Sequence, residues 1–216
     1  MIVLSKFMKR AALVLIGLVV GAGLALGILC LSGQDAADKL LFGCCGDEAA
    51  AQENSQSEAL LLAYDAAETL RDGDFEALAE LVHPKLGLVV TPFSTVNLSS
   101  DRWFTAEETA ALGRDTKSYI WGVDPVTGNV IELPAAEFFA KYIYDHEYAS
   151  ASVAGINTVV QQGNALENVA SVFPDAVFVD LHEPGQDGNW STLRFVFEES
   201  EGDLRLVALI HSAYTV

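Results

Sequence analysis

Cysteine is scarce in this 216-residue chain, and it is absent from most of it. Its three copies are Cys30, Cys44 and Cys45. Residues 46–216 therefore have no disulfide and no thiol nucleophile, and roughly 160 residues can fold on an apolar core without staples. Cys44 and Cys45 are adjacent, which is not the spacing of a zinc or redox motif. Basic residues are also few: 12 Lys and Arg face 30 Asp and Glu, a net charge of -18. That balance excludes nucleic acid, whose phosphates need Lys and Arg, and it disfavours anionic lipid heads. There are only four histidines, and none stands in a His-x-His or His-x-x-x-His pair, so no metal site is expected. Gly-x-Ser-x-Gly, phosphate-cradling glycine loops and zinc-finger spacings are all missing, so the motifs imply no catalytic nucleophile and no cofactor.

What the chain does have is one long uncharged run, residues 11–32, beginning at Ala11 and ending at Ser32. At 1.5 Å rise per residue, a helix of this length spans roughly 33 Å, about one hydrocarbon core. Lys6, Lys9 and Arg10 precede it; Asp35, Asp38, Asp47 and Glu48 follow. Positive charge stays on the cytoplasmic side. The expected arrangement is a single pass through the cell membrane, with the N-terminus inside and the C-terminal domain extracytoplasmic. A cleaved secretory signal ending near Gly27 is the competing reading, and either way the C-terminal domain is exported. Leu41-Phe42-Gly43-Cys44 also loosely matches a lipid-attachment box at Cys44. After the first 33 residues the chain has 9 basic and 30 acidic residues, a net of -21.

Three segments are expected: an anchor or signal at 1–32, a flexible acidic linker at 33–57, and an extracytoplasmic α+β domain at 58–216. Helix-spaced apolar residues point to helices over 57–71 and 75–82, the second stopped by His83-Pro84. Residues 86–93 read as a strand. Thr105 and Glu108 form a capping box that opens a helix. Strands over 118–123 and 130–133 flank an Asp-Pro-rich turn, and Pro134 opens a helix running to about Tyr144. A short helix over 166–172 precedes three strands, 176–181, 192–199 and 204–211, with a tight connection at Ser200 to Asp203. The fold class is thus α+β, early helices followed by a curved antiparallel sheet that ends in a three-stranded meander.

The candidate ligand-binding residues lie in that meander. Asp180 and His182 are two apart and share a face of their strand. By the same alternation Arg205 and His211 share a face of the last strand. If these faces coincide, Asp180, His182, Arg194, Arg205 and His211 line one polar patch. Polar alternation on a sheet also describes a plain solvated face. Trp190, after a polar loop, is a candidate rim contact, whereas Trp121 belongs in the core. Asp187-Gly188-Asn189 has too few carboxylates for a calcium loop. His83 is expected to cap a turn, and His146 to face solvent.

Helices first and strands last look like the cone-shaped nuclear-transport-factor-like (cystatin-like) class. A closer resemblance is to an uncharacterised family of bacterial envelope proteins, often lipoproteins. It is carried by His83-Pro84-Lys85-Leu86-Gly87, Pro92-Phe93, Tyr119-Ile120-Trp121-Gly122 and Gly163-Asn164-Ala165-Leu166-Glu167-Asn168, and by the run from Trp190 to His211. The doubtful lipid box, and a C-terminal His211-Ser212-Ala213-Tyr214-Thr215 in place of the usual tail, depart from that pattern. The resemblance implies no activity. The expected function is a membrane-anchored extracytoplasmic binding or interaction domain, taking an envelope protein or a small ligand. The alternative is an envelope enzyme with His182 or His211 as acid/base and Arg194 or Arg205 holding an anion.

Overall fold

The computed structural model describes residues 38–185 and 189–213, with side chains from residue 52 onward. The apolar run at 11–32 lies outside the described residues, as does the centre of the 186–188 loop. Among the described residues no helix is long and apolar enough to cross a membrane.

Helix α1 is Asp38–Asp72. It takes in most of the stretch expected to be a flexible linker. The reason lies in composition, since 47–58 is rich in Ala, Glu and Gln and has no proline and no glycine. Ala59, Ala63, Ala66, Ala67 and Leu70 are buried, at the spacing of one helix face. Small side chains let that helix approach the core closely, while Leu61 is 44% exposed. The face that matters is therefore marked by alanine more than by leucine. Helix α2 (Phe75–Leu81) starts at Asp74, whose carboxylate accepts from the Ala77 amide at 2.9 Å.

The main sheet holds β1 (Leu88–Thr91), β2 (Arg102–Phe104), β5 (Val153–Ile156), β6 (Val177–Glu183), β7 (Ser191–Ser200) and β8 (Asp203–Ala213). Its order is β2-β1-β8-β7-β6-β5. The expected meander is β6-β7-β8. The sheet is not purely antiparallel, because β1 runs parallel to β8. Strands β3 (Ser118–Val123) and β4 (Val130–Pro134) form a separate hairpin. Helix α3 (Ala106–Ala111) opens on the expected capping box of Thr105 and Glu108. Helix α4 (Ala135–Phe138) widens into a π-turn over Phe139–Ile143, and α5 is a single turn, Val169–Val172.

Both faces of the sheet are covered. Leu193, Phe195, Phe197, Leu206 and Leu209 share one cluster with the α1 alanines and the aromatic group around Trp121. Trp121 stacks on Phe138 at 3.8 Å between centroids, as a core tryptophan should. The opposite face buries a smaller cluster: Val89, Phe178, Val196, Val207, Ala208 and Ile210 with Val169. The pairing of β7 with β8 slips between Val196 and Phe197, where Val207 is the extra residue. Leu206 and Val207 then face opposite clusters, and so do Ala208 and Leu209. This bulge decides which polar residues meet.

Candidate functional site

The residues expected to form one patch lie on both faces of the sheet. Asp180 pairs with Arg194, and His182 with Thr192 and then Ser212, all on the smaller-cluster face. His211 pairs with Leu193 and faces the helix-covered side. Arg205 is remote from both. Its guanidinium donates to the Glu80 carbonyl and to Asp203, each at 3.1 Å. Period-two counting along β8 put Arg205 and His211 on one face, and the extra residue at Val207 reverses one of them.

Four of the six candidates, Asp180, His182, Trp190 and Arg194, come together on the smaller-cluster face. Arg194 is 1% exposed and donates through Nε and Nη2 to both oxygens of Asp180, at 2.6 and 2.9 Å. Its Nη1 donates to Glu167 at 2.5 Å, and the guanidinium lies 5.0 Å from the Phe178 ring centre. Burial alone would lower the Arg194 pKa, but hydrogen bonds and charges from Asp180 and Glu167 raise it. The remaining acceptor capacity is used as well: the Val160 amide donates to Asp180 at 3.1 Å, and Ser212 reaches Glu167 at 3.5 Å. This guanidinium is 1% exposed and all three of its nitrogens are engaged, so it does not face an external anion as it stands. His182 sits beside it, with Nδ1 2.8 Å from the Thr192 hydroxyl. Burial pushes the His182 pKa down, against the pull of Asp180 and Glu183. Trp190, expected at a rim, is 8% exposed; its ring lies 6.0 Å from His182 and covers Gly163. It packs because segment 157–168 lies over this end of the strands.

That segment is pinned at several points. The Asn168 side chain both donates to and accepts from the Val96 backbone, at 2.9 and 2.8 Å. Thr95 donates to the Leu166 carbonyl at 2.6 Å. Glu167, invisible as a site residue in the sequence, is thus the third member of a buried charge triad.

On the other face His211 joins a second network. Asp145 Oδ1 is its hub. It accepts from Tyr148 at 2.5 Å, from His211 Nε2 at 3.0 Å and from His146 Nδ1 at 3.1 Å. Burial pushes the Asp145 carboxyl up, but hydrogen bonds from His211, Tyr148 and His146, with the His211 charge, outweigh it and hold it well below the usual carboxylate range. Burial and the neighbouring carboxylate push the Tyr148 hydroxyl up, so it keeps its proton. With its one proton on Asp145, Tyr148 must accept at its 2.6 Å contact with Ser191. Ser191 then has its proton on Tyr148 and accepts from His211 Nε2 at 2.9 Å.

A Ser, a His and an Asp therefore lie within hydrogen-bonding distance, but with the wrong polarity for a nucleophilic relay. Such a relay has serine donating to one ring nitrogen and the carboxylate holding the other. Here Ser191 and Asp145 share Nε2, and both Ser191 and Tyr148 are fully buried. Asp145 and His146 reach the surface, with side chains 25% and 41% exposed. No sequence pattern marks this cluster, because Asp145 and Tyr148 lie after the π-turn, in a stretch without periodicity.

His83 does cap, although its ring accepts where a donor to a carbonyl was expected. Nδ1 takes the Lys85 and Leu86 amides at 3.1 and 2.9 Å. Gly87 closes this turn at φ +68°, and a Cβ there would lie 2.5 Å from the Phe104 carbonyl oxygen. The Trp103 indole nitrogen donates to the Leu86 carbonyl, which fixes the ring over the turn. This places Trp103, 50% exposed, beside Leu86 at 47% and Leu98 at 61%. Together with Val89, Phe173 and Val207 they line an open groove of about 370 Å³ on the smaller-cluster face, between β2 and α5. No sequence motif marked it. Among the described residues no group of His, Cys, Asp and Glu is arranged to hold a metal ion.

No family model matches the chain, and no curated protein does. Among solved structures the chain is similar to an NTF2-like protein with a cystatin-like fold from Novosphingobium aromaticivorans. The identity is 14% over 84% of this chain and 92% of that one, with a TM-score of 0.36. It is also similar to a calcium/calmodulin dependent protein kinase II association domain from Xanthomonas campestris, at 13% identity over 69% of this chain and 80% of that one, with a TM-score of 0.30. Likeness at this level leaves the α+β class to rest on the chain's own helices and strands.

Proposed function

We propose that this chain is a membrane-anchored binding module of a bacterial envelope, with its α+β domain held outside the cytoplasm. The observation that carries the reading is a contrast. Every buried side-chain polar atom of the two networks has a partner among the described residues, whereas the groove beside Trp103 leaves large apolar side chains in water. Clustered exposed apolar surface of this kind marks a place where something binds. The uncharged run at 11–32, its basic N-terminal flank and the resemblance to envelope proteins support the location.

The test is thermal denaturation of the full chain against metals, sugars, nucleotides, peptides and cell-wall fragments. The right class stabilises by about 2.7 kcal/mol at a hundredfold excess over its dissociation constant. Leu98→Ser should remove that shift without changing the unliganded midpoint, because Leu98 is mostly exposed. No shift with any class, or a shift indifferent to Leu98→Ser, overturns the reading.

One observation favours an enzyme instead: Asp145 and His211 lie 3.0 Å apart, and Asp145 reaches the surface. In that case His211→Gln abolishes turnover of an ester or amide substrate that the wild-type chain consumes. Absence of any turnover in the wild type removes this second reading.

A further inference from the structure

The groove beside Trp103 has a chemistry that narrows its occupant. Its floor and walls are apolar: Leu86, Leu98, Trp103 and Phe173. Two carboxylates also line it, Asp101 and Glu198. Neither makes an ion pair among the described residues. Asp101 accepts from the Asn97 amide at 2.7 Å, and burial still pushes its carboxyl up. Glu198 pairs across the strands with Arg205. That guanidinium is turned to Asp203 and the Glu80 carbonyl instead. An aromatic face, apolar walls and two uncompensated carboxylates are together the elements that recognise an organic cation with an apolar body.

The groove is also open. Sites for small molecules enclose most of the ligand, whereas a strip of this depth leaves a free small molecule largely in water. A peptide segment loses little by that, since its backbone stays solvated and only alternate side chains need to dock. The chain's charge of -18 adds attraction over distance for a basic partner.

We propose that the groove docks a segment of a basic partner protein, with an apolar side chain against Trp103 and Leu98 and a neighbouring Arg or Lys between Asp101 and Glu198. The inference rests on the binding-module reading and gives it a partner class.

The test uses the full chain reconstituted in phosphatidylcholine vesicles, with protein-free vesicles as the blank. The probes are three labelled pentapeptides: alternating Leu and Arg, the same with Gln for Arg, and the same with Glu for Arg. Binding is read by anisotropy and by tryptophan emission. Trp121 and Trp190 are buried, so a shift in emission reports chiefly on Trp103. The Arg peptide should bind about tenfold more tightly than the Gln peptide, and the Glu peptide least, the spread expected of one well-placed charge pair. Glu198→Gln should erase that preference. Glu137→Gln, an exposed charge away from the groove, should not. Leu98→Ser should weaken the Arg and Gln peptides alike.

Equal binding of the Arg and Gln peptides, both lost in Leu98→Ser, overturns the cationic partner and leaves the groove reading standing. Binding of the Arg peptide that neither Glu198→Gln nor Leu98→Ser changes shows diffuse attraction to an acidic surface, and overturns the inference. If no peptide binds, and Leu98→Ser alters no ligand effect on the thermal midpoint, the inference and the binding-module reading fall together.

Discussion

Replacing Arg194 by Met is the sharpest test of the buried triad. The guanidinium is 1% exposed, Asp180 is fully buried and the Glu167 side chain is 9% exposed, so solvent screens none of these charges appreciably. Removing the cation leaves two carboxylates facing each other under segment 157–168. Breaking a buried pair from one side costs about 3–5 kcal/mol. For a domain of this size each kcal/mol moves the midpoint by about 2–4 °C, so Arg194→Met should lower Tm by roughly 6–20 °C. Asp180→Asn should cost less, because Glu167 still neutralises Arg194. Glu167→Gln should cost least, because the bidentate Asp180 pair remains. The Arg194→Met/Asp180→Asn double variant should be less destabilised than the sum of its parts, since neither charge is then left alone. Urea unfolding of the four variants gives both ranking and coupling. If Arg194→Met costs under about 1 kcal/mol, or the cycle is additive, the triad is not the buried ion network described.

Three further outcomes are expected. The depressed Asp145 carboxyl contributes stability that is fully present above its unfolded pKa of about 3.9 and is lost as pH falls through the lower folded value. Melting curves should therefore drop on acidification below about pH 4, and Asp145→Asn should be less stable at neutral pH and lack that part of the drop. His182 also has a lowered pKa, so its contribution is present above its unfolded value of about 6.5 and is lost as pH falls below it. His182→Gln should flatten the fall in Tm below about pH 6.5 relative to the wild type. Glu201, at φ +59°, sits in a left-handed position of the β7–β8 turn beside Gly202 at +94°. Glu201→Asn suits this geometry and should raise stability by about 0.5–1 kcal/mol in urea unfolding, whereas Glu201→Val should lower it.

The parts of the fold that read well from the sequence are those with a local signal. The Thr105 capping box needs only residues three apart, and the meander shows period-two alternation over ten residues. The hairpin turn carries Gly202, suited to positive φ. The parts that did not read are those set by long-range events. Helix α1 buries alanine, which a search for large apolar side chains passes over. The edge strands β2 and β5 are three and four residues long, too short for a period to register. The expected patch divides for two reasons. The register of β7 with β6 and β8 puts His211 on the face opposite Asp180, His182 and Arg194, and the bulge at Val207 turns Arg205 off the face of His211. Asp145, Tyr148 and Ser191 became neighbours only through a π-turn and the start of β7, 43 or more residues apart in the chain.

The same bulge bears on why the groove is open. Segment 157–173 covers the smaller-cluster face over β6, β7 and the C-terminal end of β8, where Asp180, Arg194 and Ser212 bind it through Glu167 and Val160. Its cover ends at Phe173. Beyond that point the extra residue puts Val207 on the same face as Val89, where both are buried, Val207 to 2% exposure. Trp103, Leu86 and Leu98 border them and stay in water, so the apolar surface offered to an occupant comes from these three, and Val207 belongs to the core beneath. Val207→Thr tests this directly: it buries a hydroxyl and should lower urea stability by about 1–3 kcal/mol, while Leu98→Ser leaves stability unchanged and weakens whatever ligand raises the midpoint. A Val207→Thr variant as stable as the wild type would show that the valine is not part of the core.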